Sequence, residues 1–473
     1  MTASGHNAPG QFRREEDGLG PREVPAEAYW AIDTLRATEN LRAAGRPVRR
    51  ELVRALAQVK QACARANMEI GSLPADVGHA IASAAGEVAA GALADQFPVD
   101  AWQGRAGTSL NMNMNEVLAN RALELLGRPQ GEYTTVHPLA MVNLHQSTND
   151  VVPSAVRIAV ILEVRGLSQV LAELPGACQS GEERFASIAK TGRTELQDAV
   201  PITLGAECGA WAEAIGRDRW RVFKCEERLH AINLGGTAIG TGIGAPRSYY
   251  FLAAERLREL TGLGLTRAEN PVDAAANADA LVEVSGILTA CASNLGKMAN
   301  DLRLLNFLGE LRLASVQAGS SIMPGNKVNP VLAEVAIQCG IRAQANHTVV
   351  AECAGWGTLQ LCEFLPLAAD AILETTSALH ASARGLHRAV VTATADPAAC
   401  ARLLSRSVGL FAAVAVRIGY VAAERLTHDW ARSGAAEVRL AERLRETAVA
   451  AMLDPPAVLA PRRDGPAASG TIP

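Results

Sequence analysis

Aromatic side chains make up only 4% of the 473 residues. Aromatic and β-branched runs that feed sheets are correspondingly scarce, and abundant Ala, Leu, Glu and Arg favour helices. An excess of one charge is also missing: 45 Lys plus Arg stand against 49 Asp plus Glu, a net charge of −4. A general nucleic-acid binder carries a basic excess, so that class is set aside. The nine cysteines (Cys63, Cys178, Cys208, Cys225, Cys291, Cys339, Cys353, Cys362 and Cys400) are odd in number and form no C-x-x-C pair. This argues against a disulfide framework or a zinc knuckle and for buried thiols in a reducing compartment. The nine histidines show no H-E-x-x-H or similar spacing, so no metal site or cofactor is read from the sequence. Residues 1–16 lack the apolar core of a signal peptide, and no apolar run approaches the roughly 18 residues of a membrane span. The expectation is a soluble, cytoplasmic protein without membrane partners. Its 49% hydrophobic and 20% charged residues are ordinary for a globular chain, and its length suggests about three units.

What is present is helical period. Leu281, Val284, Leu288, Cys291, Leu295, Met298, Leu302 and Leu305 alternate steps of three and four without a miss, which predicts a long helix in a bundle or coiled-coil seam. A second helix is predicted after Asn149-Asp150, with Pro153 in its first turn and Val156, Val160, Val164, Leu167, Leu171 and Leu174 along one face. A third begins near Pro330 and runs through Leu332, Val335 and Cys339. No strand run of comparable quality appears, so an all-α protein with a central bundle is expected. Seams this long often pack between subunits as well. The stretch up to about Pro25 and the tail after Pro455 read as irregular.

Three polar segments interrupt this pattern, at residues 107–116, 143–150 and 319–330. Each is dense in hydroxyls and amides, and each is read as ending where a helix begins. A helix start carries unpaired N–H groups and the positive end of the dipole. Ser, Thr and Asn add neutral donors there, and Lys327 adds one fixed cation. Several such ends converging would bind a small dicarboxylate. Taken singly, each segment is also what an ordinary helix cap looks like, and Asn111, Asn113 and Asn115 also fit a short solvent-facing stretch.

The run GSSIMPGNKVNPV (319–331) resembles the GSS-x-MP-x-K-x-N loop of the aspartase/fumarase superfamily. AGTSLNMNMNEVLANRA (106–122), HQSTNDVVPSA (145–155) and TGRTELQDAVPITLGAE (191–207) are similar to three further segments of that family, and LGGTAIGTGIG (234–244) and GYVAAERL (419–426) also fit. The resemblance runs from about Phe12 to about Leu426. It implies an all-α chain of three domains, here 1–146, 147–396 and 397–473. The middle domain would be a long five-helix bundle, and four of these would form the 20-helix core of a homotetramer. Each active site would draw segments from three subunits. The reaction it implies is reversible β-elimination from a succinate derivative, releasing fumarate. Removing a proton beside a carboxylate makes a dianionic aci-carboxylate, whose charge must be met by donors placed in advance. By resemblance, Ser320 is the base, acting as an oxyanion helped by Lys327 and loop amides. Thr108, Ser147, Thr148 and Ser321 would hold one carboxylate, with Ser109 and Asn111 on the same segment as Thr108. Thr194, Lys327 and Asn329 would hold the other, and Asn149 would touch the leaving group.

Four departures sharpen the expectation. Glu195 stands where fumarases have His and aspartases have His or Gln; its partner by resemblance is Glu334. Two neighbouring carboxylates do not both ionise cheaply, and an ammonium leaving group would supply a compensating cation where a hydroxyl would not. Turning away to Arg193 is the other reading of Glu195. The fumarase His-Pro-Asn-Asp is replaced by His137-Pro138-Leu139-Ala140. Arg105 stands where the aspartase pattern has Gly, placed either to grip an extra anionic group on a larger substrate or to point to solvent. Gly325 and Asn326 both precede Lys327, one residue more than the family loop. The expected activity is a carbon–nitrogen lyase acting on aspartate or an N-substituted aspartate. A fumarate hydratase and a homologue that has lost turnover are the alternatives.

Overall fold

The computed structural model describes residues 11–432, apart from 318, 321, 324–326 and 328. The tail after Pro455, Ser321 and the extra residue before Lys327 lie outside the described residues. In chain order the elements are β1 (Phe12–Asp17), β2 (Gly20–Pro25), α1 (Ile32–Asn40), α2 (Arg50–Glu69), α3 (Ala75–Ala89), α4 (Thr108–Leu125), α5 (Thr148–Arg184), β3 (Ala189–Thr194), β4 (Gln197–Thr203) and α6 (Leu204–Leu229). There follow β5 (Ala231–Ile232), α7 (Arg247–Thr261), β6 (Thr266–Arg267), α8 (Pro271–Ala276), α9 (Asp279–Leu308), β7 (Leu311–Arg312), α10 (Val331–Gly355), α11 (Leu365–Thr392), β8 (Thr394–Ala395), α12 (Pro397–Ser405), α13 (Gly409–Ile418) and α14 (Tyr420–Arg432). The described strands form four two-stranded sheets, so the all-α expectation holds. The stretch before Pro25 is nevertheless a paired hairpin with Val24 fully buried, not an irregular arm.

Of the five long helices α5, α6, α9, α10 and α11, α9 and α5 bury the stripes read from the sequence. All eight heptad positions from Leu281 to Leu305 on α9 are at most 5% exposed, and the six α5 positions from Val156 to Leu174 are at most 1% exposed. That helix begins at Thr148, ahead of Asn149 and Asp150, because Ser147 and Asp150 cap it together: Asp150 Oδ1 accepts from Ser147 N at 2.9 Å, and Ser147 Oγ accepts from Asn149 N at 3.2 Å. On α10, Val335 is 49% exposed instead of core. Eight of the nine cysteines are buried free thiols and Cys339 is half-buried.

The chain divides into two compact units. The first comprises Met1–Gln169, Arg219–Ser293 and Cys339–His380. In it, Ser285 of α9 meets His347 of α10 at 3.2 Å, and Asn346 of α10 donates to Ala371 O and Thr375 Oγ1 of α11. His380 of α11 meets Glu163 O of α5, and Arg165 of α5 pairs with Glu226 of α6. The second unit comprises Val170–Asp218, Asn294–Gln338 and Ala381–Pro473. There α6 and α9 are joined by Trp211 Nε1 to Asp301 at 3.0 Å and Asn294 Nδ2 to Asp218 at 2.8 Å.

In the first unit, α1 has no cap of its own: Ala31 precedes it. Glu116 of α4 replaces the cap. Its carboxylate accepts from Ala31 N and Asp33 N at 2.8 Å, Thr34 N at 3.2 Å and Thr34 Oγ1 at 2.5 Å. Four donors answer the cost of burying that charge. Glu116→Ala is expected to destabilise the fold by about 2–4 kcal/mol, since four buried donors lose their acceptor; a denaturant midpoint matching the wild type would contradict this role.

Candidate active site

The first polar segment is not a loop ahead of a helix, as the sequence suggested. Helix α4 starts at Thr108, directly behind Arg105, Ala106 and Gly107, whose φ angles are 56°, 54° and 91°. A left-handed run through Arg and Ala costs about 1–3 kcal/mol per residue and breaks the chain sharply, so that α4 departs from Gly107. The Thr108 hydroxyl donates to Arg105 O at 2.7 Å, while the Arg105 side chain is exposed and Ser109 is half-buried. Asn111, Asn113 and Asn115 are inside the helix and at most 2% exposed, which overturns the solvent-facing reading. Alternation with apolar residues is a strand pattern; on a helix the same residues spread around the axis and are buried by different neighbours.

Two of the three polar segments, 107–116 and 143–150, converge within the first unit, together with the loop that follows β5. Asn111 Nδ2 donates to Thr148 Oγ1 and to Asn143 Oδ1, both at 3.2 Å. Asn115 Nδ2 reaches the same Asn143 oxygen at 3.2 Å. From beneath, Lys60 of α2 donates to Asn143 Oδ1 at 2.8 Å and Gln146 Oε1 at 2.9 Å. Lys60 is 1% exposed, and burial brings its ammonium pKa down to about 7. Asp150 has no exposed surface; burial pushes its carboxyl up to about 7, against the amides of Ser147, Thr237 and Gly235 that hold it. Its Oδ2 accepts from Gly235 N at 3.1 Å and Thr237 N at 3.0 Å. The neighbouring Asn149 donates Nδ2 to Ala238 O at 2.8 Å. Ser147, Thr148 and Asn149 are therefore clamped between α2, α4 and the loop that follows β5. The Oδ1 atoms of Asn111, Asn113 and Asn115 have no partner among the described residues.

In the second unit, β3 and β4 turn through Glu195 and Leu196, with φ of 53° and 62° and Thr194 paired with Gln197. This is a two-residue hairpin turn that Asn-Gly ordinarily fills. Both side chains, with Thr194, project into solvent. Arg193 does not pair with Glu195: its guanidinium meets Glu310 at 2.9 Å and Asp198 at 3.5 Å. Lys190, 1% exposed, meets Glu207 at 2.8 Å and the fully buried Glu310 at 3.3 Å. Two cations, the buried Glu310 and the half-buried Glu207 thus anchor the hairpin from inside. Glu195 and Leu196 share an open cavity with Arg193, Trp211 and Lys297. Among the described residues, no hydrogen bond or ion pair joins Glu195 to Glu334, which sits half-buried in the first turn of α10.

The third segment closes into a loop at its neck. Asn329 Nδ2 donates to Gly319 O at 3.2 Å. A Cβ on Gly319 would lie 1.8 Å from Lys327 O, so only glycine permits this approach. Ser320 Oγ accepts from Ile322 N at 3.3 Å and Met323 N at 3.1 Å. Two amides aimed at one hydroxyl oxygen favour negative charge there. The Lys327 side chain is exposed. Sequence reading named Asp150 only as a helix start and missed Lys60, Lys190 and Glu310; burial alone gives them away.

Residues 20–345 match a family described as Lyase. The chain is 42% identical over 465 residues to an aspartate ammonia-lyase of Pseudomonas aeruginosa, covering 95% of this chain and 97% of the relative. It is 38% identical over 434 residues to the aspartate ammonia-lyase of Bacillus subtilis, covering 90% and 91%. Among solved structures, a fumarate lyase:delta crystallin from Brucella melitensis, bound to cobalt, superposes with a TM-score of 0.88 at 42% identity, over 94% of this chain and 99% of that one. The polar segments, their helical frame and these likenesses agree: this chain is a lyase and belongs to the aspartase/fumarase superfamily.

Proposed function

We propose that this chain eliminates the amine from aspartate, or from an N-substituted aspartate, by β-elimination, releasing fumarate. The observation that carries this reading is the 42% identity to an aspartate ammonia-lyase along 95% of the chain. Leu139 and Ala140 support it against a hydratase, since neither offers the polar side chain of the fumarase motif.

In this reading Ser320 removes the proton on the carbon next to one carboxylate. A free hydroxyl is far too weak a base, so its oxyanion needs help. The amides of Ile322 and Met323, at 3.3 and 3.1 Å, are in place to give it, with Lys327 as the nearby cation of the same loop. Thr108, Ser109, Asn111, Ser147, Thr148 and Ser321 bind one carboxylate, and Thr194, Lys327 and Asn329 bind the other. The charge that develops on deprotonation is then met mostly by neutral donors, already oriented by the Asn111–Asn143–Lys60 and Asp150 contacts and costing little reorganisation. Asn149 contacts the amine. Glu195 and Glu334 share its positive charge, and Arg105 reaches any anionic group carried on the nitrogen.

The domains 1–146, 147–396 and 397–473 follow the family division. The exposed apolar side chains Val335, Ile341 and Phe307 on the long helices support a homotetramer. In it, segments from three subunits complete each site. The compartment in this reading is the cytoplasm.

Fumarate absorbance tests the reading: it should grow with aspartate and not with malate, and growth with malate alone would make the enzyme a hydratase. Ser320→Ala is expected to lower kcat by at least about a thousandfold while size-exclusion chromatography shows an unchanged oligomer; a retained rate would remove Ser320 as base. Glu195→His is expected to shift the kcat/KM ratio of aspartate over malate toward malate, and an unmoved ratio would separate Glu195 from the leaving group.

A further inference from the structure

The glycine-rich loop 233–244 has two working faces. One holds Asp150 through the Gly235 and Thr237 amides and Asn149 through Ala238 O. The other, with Gly235 and Gly240, lines an open cavity together with Arg247, Phe251, Arg267 and Glu269. The Arg267 guanidinium carbon lies 4.1 Å from the Phe251 ring centre and 5.0 Å from that of Tyr250. Arg247 stands 5.8 Å from the same Phe251 ring. Face stacking fixes the plane of a guanidinium and leaves its N–H edge open to a ligand.

Neither arginine has an ion pair among the described residues, and Glu269 is the only acid lining the cavity. Two cations drawn to one ring repel each other unless an anion shares them. The surroundings add donors of the same kind. Helix α7 is 15 residues long, starts at Arg247 and receives no side-chain cap from Pro246. The loop beside it comes close because Gly240, at φ 83°, has no side chain: a Cβ would meet the Pro271 backbone at 2.4 Å. Guanidinium edges and the start of α7 approach from several directions, while the glycine loop walls one side. A carboxylate is planar and presents its acceptor lone pairs in one plane. A tetrahedral oxyanion has enough oxygens to meet all of these donors.

We propose that this cavity is a binding site for a phosphate-class oxyanion, gripped by Arg267 and Arg247 over Phe251. Calorimetric titration of inorganic phosphate into the purified full-length protein, in low salt and a phosphate-free buffer, tests it. The wild type should bind phosphate saturably, Arg267→Gln should weaken binding by at least about tenfold, and the Arg247→Gln/Arg267→Gln double variant should abolish it. Both side chains are exposed, so the variants should melt with the wild type; Glu269→Gln, which removes the opposing charge, should tighten binding. Succinate is the counter-probe, and its binding should be the same in wild type and double variant. Absence of saturable phosphate binding to the wild type, or equal binding in the double variant, would overturn the site. Succinate binding that falls in step with phosphate would overturn the choice of oxyanion. The measurement involves no turnover, so it stands or falls apart from the elimination reaction.

Discussion

A carboxylate without any exposed surface has to be answered by donors, and Asp150 is answered almost wholly by backbone. That requirement organises the first unit around the segment that carries Ser147, Thr148 and Asn149. One oxygen caps α5 through Ser147 N, and the other gathers Gly235 N and Thr237 N. The same carboxylate therefore sets where Ser147, Thr148 and Asn149 stand and where the glycine loop must run. Lys60 completes the arrangement from below without a salt bridge, donating to two amide oxygens. Burial weakens both charges, so the segment is held mainly by oriented dipoles.

The second unit solves a similar problem with ions. Lys190, Arg193, Glu207 and Glu310 tie the β3–β4 hairpin from its buried side. That anchorage sustains two left-handed residues, Glu195 and Leu196, in a turn where glycine is usual. Arg193, the adjacent cation in the chain, is already engaged. The Glu195 carboxylate is thereby left facing an open cavity instead of an internal partner. Ser320, on a loop pinched shut at Gly319 and Asn329, shows the same division between a fixed neck and a presented functional group.

Much of the frame was legible from one chain of letters because helix packing is a local, periodic constraint. Leu281 to Leu305 and Val156 to Leu174 had to be buried on any helix they formed, and they are. The motif segments were legible too, since short runs of hydroxyls, amides and glycine carry their chemistry in composition and spacing. What periodicity could not reveal is which polar residue ends up inside. Asn111, Asn113 and Asn115 alternate like a strand, yet α4 begins at Thr108 and buries all three. Val335 fits the stripe of α10 and is half exposed.

The helical class, the long apolar seams on α5 and α9, the free thiols and the three polar segments could be read from the chain alone, because each depends on residues close together in it. Tertiary structure alone decided that Lys60 lies under Asn143, that Glu116 caps a helix far from it in sequence, that Arg193 belongs to Glu310, and that Arg267 stacks on Phe251. The physical reason is burial. Whether a charge or an amide is stable inside depends on partners supplied by distant segments, and no local pattern encodes which of them will arrive.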